Sequence, residues 1–132
     1  MSTTAHPRPT VRTADTHQRL RGIAVGSSAL VALLYVLVYA GVLTVGRADA
    51  GELGILGFAG AVHALLAIAL WRVESRVLWA GAAVLQVLLG WMYVAVAPER
   101  TPAYEVWGLT IRGLSAVLVV ALVGLLLEAR RR

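Results

Sequence analysis

Between Arg21 and Arg47 the chain carries no charged side chain, and Gly22 to Val45 within that interval is a run of 24 mostly apolar residues. As a helix, such a run reaches about 36 Å at ~1.5 Å per residue, enough to cross a hydrocarbon core of ~30 Å. Three further runs repeat the feature: Leu53 to Trp71 (19 residues), Val77 to Ala97 (21) and Val106 to Leu127 (22), the last interrupted once, by Arg112. In the bilayer core only a helix or a closed barrel satisfies its backbone, and continuous apolar runs of this length are the helical solution. The whole sequence, 59% hydrophobic and 14% charged, is too poor in charge to cover an ordinary water-soluble domain of 132 residues.

The predicted fold class is therefore all-α: a polytopic membrane protein built as a four-transmembrane-helix antiparallel bundle. The helices are expected at about 22–45, 53–71, 77–97 and 106–127, inside a membrane domain spanning 18–128. A disordered leader over 1–17 precedes it and a basic tail over 129–132 follows. Short connections make consecutive helices antiparallel neighbours, so an up-down-up-down order is the economical arrangement. Pro7, Pro9, Pro98 and Pro102 all fall outside the runs. Asp15 followed by Gln18 resembles a capping box, which would start the first helix before the membrane begins. Trp71 and Trp79 flank the second connection, and Tyr104 and Trp107 open the fourth run, as interfacial aromatics do. Ala48-Asp49-Ala50 has the small-x-small form of a signal-peptidase site, but the preceding run is too long for a signal h-region, and the first helix is expected to stay.

All twelve basic side chains are arginine. Arg8, Arg12, Arg19 and Arg21 precede the first run, Arg72 and Arg76 fill the second connection, and Arg130 to Arg132 end the chain. Arg47 and Arg100 lie on the other side. The positive-inside rule then puts both termini in the cytoplasm, in the cell membrane. Nucleic acid is not an expected partner, because the net charge of +5 is divided among membrane flanks instead of forming one basic patch. Exclusive use of arginine, with abundant Ala, Val, Leu and Gly, fits a GC-rich bacterial coding sequence. The lack of cysteine removes thiol chemistry and thiolate metal sites.

What topology leaves unexplained is a small polar set. Tyr35, His63, Gln86 and Ser115 fall near the middle of their runs, with Arg112 and Tyr39 about one turn nearer the outer face. Each polar position shares its helical face with small residues: His63 with Ala59, Gly60 and Ala67; Gln86 with Ala82, Ala83 and Gly90; Tyr35 with Ser28 and Ala32; Arg112 with Gly108, Ser115 and Ala116. These faces are expected to converge inside and the aliphatic ones to meet lipid. Glu52 and Glu105, at the outer ends of the second and fourth helices, are the candidate charge partners of Arg112. One intramembrane histidine cannot supply bis-histidine haem ligation. No metal-spaced ligand cluster or glycine-rich phosphate loop occurs in the sequence, so neither cofactor nor enzymatic activity is expected.

Two functional expectations follow. The first is a structural or accessory subunit that packs with itself, as a homo-oligomer, or with a larger membrane-protein partner in the lipid bilayer. The second is a small transporter or ligand-binding bundle whose internal polar site is His63, Gln86, Arg112, Tyr35 and Ser115. Polar faces converging around a cavity within one chain would favour the second; polar faces turned outward onto small residues would favour the first.

Overall fold

The computed structural model describes residues 11–43, 50–96, 98 and 105–131, with side chains for 15–43, 54–95, 98 and 105–131. These residues form α1 (Val11–Tyr39), α2 (Ala50–Arg72), α3 (Arg76–Val96) and α4 (Val106–Arg131). All four are long and apolar enough to cross a membrane. The expected all-α antiparallel four-helix bundle is the observed fold. The connections holding Arg47 and Arg100, and the leader through residue 10, lie outside the described residues.

Both ends of α1 differ from the apolar run. The helix starts at Val11, so residues 11–17, expected in a disordered leader, are helical. That stretch has neither Gly nor Pro, and Asp15 sits inside the helix, where it pairs with Arg19 one turn on at 2.9 Å instead of capping. Tertiary contacts hold it as well. His17 lies 3.3 Å from Glu128 of α4 and 3.9 Å from Glu74, and its ring packs on Trp79 of α3 at 5.6 Å. At the other end α1 stops at Tyr39, short of the Val45 that hydropathy implies. Gly41 takes a φ of 71°, its N–H donates to Val38 O (3.0 Å), and the Val42 N–H reaches back to Leu37 O (2.9 Å). That pairing is a Schellman cap, which an apolar run conceals because every residue around the glycine is apolar.

The contacts fix the register. Gly57 meets Tyr39, Gly60 meets Tyr35, and Arg21 meets Leu70, so numbers fall along α2 as they rise along α1. Leu20 against Gly124 and Tyr35 against Arg112 make α1 and α4 antiparallel, and Arg76 against Ala129 does the same for α3 and α4. Neighbours in space are not simply neighbours in sequence. α1 packs on α2 and α4, α4 packs on α1 and α3, and α2 barely touches α3 despite the three-residue link Val73 to Ser75. The expectation that every short loop joins closely packed helices fails at this pair. Ser75 starts α3 as its N-cap, accepting from the Leu78 N–H at 3.4 Å, and α3 then runs against α4.

Close approach of α1 and α2 depends on Gly60. A Cβ there would lie 3.1 Å from Tyr35 Cβ, so the two backbones could not keep their spacing with any larger residue. Gly54, three-residue-spaced with Gly57 and Gly60, meets nothing within 4 Å. Steps of three drift around a helix of 3.6 residues per turn, so these glycines do not make one face.

Arginines at the end shared by the described limits of α1 and α4 also close helices. Arg21 donates from Nε to Leu70 O (2.9 Å) and from Nη2 to Trp71 O, while Nη1 pairs with Glu74. Arg76 donates to Ala129 O near the end of α4. These carbonyls have no partner within their own helices, and positive charge suits the negative end of a helix dipole. Of the expected interfacial tryptophans, Trp71 is exposed with Arg72 over its ring at 5.8 Å, whereas Trp79 is buried in the core.

That core has two parts. The larger joins Leu66, Leu70, Trp79, Leu118, Leu122 and Leu125 near the basic end; the smaller joins Val31, Tyr35 and Ile111. Between them lie buried Ser28, His63, Gln86 and Ser115, while Leu33, Phe58, Leu65, Val87 and Trp91 stand exposed. Polar groups inside and large apolar groups outside is the distribution for a lipid surround, where exposing Leu or Phe carries no penalty.

Candidate functional site

Helical periodicity turns one polar face of each helix toward the bundle axis, and the four faces meet in a connected network. His63 of α2 is 1% exposed. Its Nδ1 donates to Ala59 O, one turn back, at 2.8 Å. The carbonyl can only accept, so Nδ1 carries a hydrogen, and an amide nitrogen facing Nε2 makes that atom the acceptor. Gln86 of α3, 2% exposed, supplies that nitrogen and donates to Nε2 at 3.0 Å. This bond spans the pair of helices that otherwise scarcely touch. Ser28 of α1 donates to His63 O at 2.9 Å, and the Tyr35 ring lies 5.6 Å from the imidazole.

Tyr35 passes the network to α4. Arg112 donates from Nη2 to the Tyr35 hydroxyl at 2.7 Å, and its guanidinium lies over the Tyr93 ring of α3 at 5.1 Å. Gly108, four residues before Arg112, makes room for that ring, since a Cβ there would come within 2.8 Å of the Tyr93 hydroxyl. All five residues of the expected polar site are thus brought together: His63 with Gln86 and Tyr35, Tyr35 with Arg112, and Gln86, Arg112 and Ser115 on one cavity. Two acids are the expected charge partners of Arg112. Glu105 sits just before α4 with its carboxylate oxygens buried, and none of the described ion pairs involves Arg112. Glu52 lies within α2, but its side chain is outside the described residues.

The cavity lies between α3 and α4, open along one side, and has a volume of about 370 Å³, within the usual 300–1,000 Å³ of small-molecule sites. Its polar lining is Gln86, Tyr93, Arg112 and Ser115; Val94 and Leu109, both exposed, form part of its rim. Ser115 is 5% exposed and its hydroxyl has no hydrogen-bond partner; neither does the buried Nε of Arg112. Sequence reasoning missed Tyr93 as a site residue, although it stands two turns from Gln86 on the same face of α3, with Gly90 between them. Tyr39, expected about one turn nearer the outer face in the same polar set, is 57% exposed and packs on Gly57 at the edge.

Four helices of membrane length and apolar composition mark the chain as a multi-pass membrane protein, with a polar layer inside its bundle. No family model, curated protein or solved structure matches it.

Proposed function

We propose that this is a non-enzymatic protein of the cell membrane, with both termini in the cytoplasm, that binds a small molecule within its own bundle. One observation carries the reading: polar faces from four helices converge inside a single chain, and two of their residues, Ser115 and Arg112, line a cavity while Ser115 Oγ and Arg112 Nε are buried without partners. A buried donor left unpaired costs about 1–3 kcal/mol, so polar groups serving only to bind helices together are normally paired. The nine-to-two division of arginines around the spans supports the orientation. A non-enzymatic role is supported by the sequence, which places a single histidine and no carboxylate at the depth of the layer.

The test is native mass spectrometry of the full chain from mild detergent. Ala116 is exposed and lines the cavity, so Ala116→Phe fills it from the rim. A small-molecule adduct on the wild type that is lost in Ala116→Phe is the expected result. An adduct-free wild type, or one unchanged by the substitution, argues against the reading.

A second reading, association with another copy or a larger membrane protein, is favoured by Gly22 and Gly26 of α1. They lie one turn apart, exposed, with nothing within 4 Å of either, in the small-xxx-small spacing that lets two helix backbones approach. The same spectra test it: a dimer abolished by Gly26→Leu supports it, and a strictly monomeric wild type, free of any partner chain, removes it.

A further inference from the structure

We propose that the cavity between α3 and α4 takes an amphiphilic monocarboxylate, its carboxylate on Arg112 and its hydrocarbon tail along the apolar wall. This rests on the ligand-binding reading above and adds the chemical class of the ligand. Among the described residues Arg112 is the one charged residue lining the cavity, and its described hydrogen bond uses one of its five N–H donors. The Tyr35 hydroxyl and the Tyr93 ring hold the guanidinium from two sides, and both contacts leave its charge uncancelled. What the site lacks is therefore a single negative charge with acceptor oxygens.

A planar carboxylate supplies both. It presents two oxygens to a guanidinium fork and brings one charge to one charge. Gln86 and Ser115 line the cavity beside it. Size and depth exclude bulkier heads. Arg112 lies about 9 Å along α4 from Val106 at ~1.5 Å per residue, below the level where a phosphoglycerol head would remain hydrated. The remaining lining, including Gly90, Leu109, Ala116 and Val119, carries no polar side chain. Val94, Leu109 and Ala116 are exposed at the rim, so the tail enters laterally from the bilayer.

The experiment uses the full chain in nanodiscs of zwitterionic lipid, titrated with tritiated palmitate, the long-chain alcohol of equal length, and acetate. A parallel set of discs contains phosphatidic acid as competitor. Palmitate is expected to bind saturably, about tenfold or more tighter than the alcohol, and acetate not measurably. Arg112→Gln lowers palmitate affinity to that of the alcohol, and Arg112→Lys restores part of it. Alcohol binding as tightly as palmitate, lost in Ala116→Phe but unchanged in Arg112→Gln, would overturn the carboxylate and keep the cavity. Displacement of palmitate by phosphatidic acid at lower mole fraction assigns the site to a phosphate headgroup and overturns the proposal. Palmitate binding indifferent to both Arg112→Gln and Ala116→Phe overturns the ligand class and the binding reading together.

Discussion

A guanidinium placed at the centre of a membrane helix costs about 2.5–3.5 kcal/mol on the insertion scale. Arg112, nearer the outer end of α4, carries a smaller cost and meets it with a phenol oxygen at 2.7 Å and an aromatic face at 5.1 Å. Tyr35→Phe keeps the ring and removes the acceptor, so it should lower stability by about 1.5–3 kcal/mol, the range for a hydrogen bond to a charged group, measured by denaturant unfolding in detergent. His63 and Gln86 satisfy each other across a pair of helices with few other contacts. His63→Leu and Gln86→Leu should each destabilise the protein, and the double variant should lose less than the sum, with a coupling of about 0.6–1.7 kcal/mol. Strict additivity would show that the bond contributes nothing. These four residues could be named from the sequence because depth follows from position along a span. Which tyrosine turns inward could not: Tyr39 faces out and Tyr93 lies under Arg112, a difference of helix rotation that hydropathy does not encode.

Among the elements, α1 shows how a boundary escapes an apolar count. Leu37, Val38, Val42 and Leu43 are all suited to lipid, and only Gly41, with φ at 71°, stops the helix among them. Gly41→Ala keeps the hydropathy but forces a side chain into the left-handed region, for a loss of about 1–2 kcal/mol by the same unfolding assay. Two glycines of α2 should respond oppositely. Gly60→Leu drives α1 and α2 apart and destabilises by about 1–3 kcal/mol, whereas Gly54→Ala meets nothing and gains up to about 1 kcal/mol of helix propensity. Equal effects at the two positions would contradict the α1–α2 contact. The arginines of the basic end carry a second role that no charge count shows, since Arg21 and Arg76 cap α2 and α4 with guanidinium donors.

For the whole molecule, orientation is open to direct test because the chain has no cysteine. With both termini inside, Val73→Cys should react with a membrane-impermeant maleimide only after the cells are opened, and Thr101→Cys should react on intact cells. The reverse pattern would overturn the arginine reading. The number of spans and their approximate limits were readable from run lengths. That is because transfer of a segment between water and lipid depends on the segment's own composition. The packing order was not readable. Short loops suit α2 beside α3, yet α4 takes α3, Trp79 turns into the core, and α2 is left joined to α3 chiefly through His63 and Gln86. Lipid accepts apolar faces of any shape, so partner choice rests on how closely two particular faces fit. That fit exists only once four helices compete for the same interior, and the cavity beside Arg112 is a product of it.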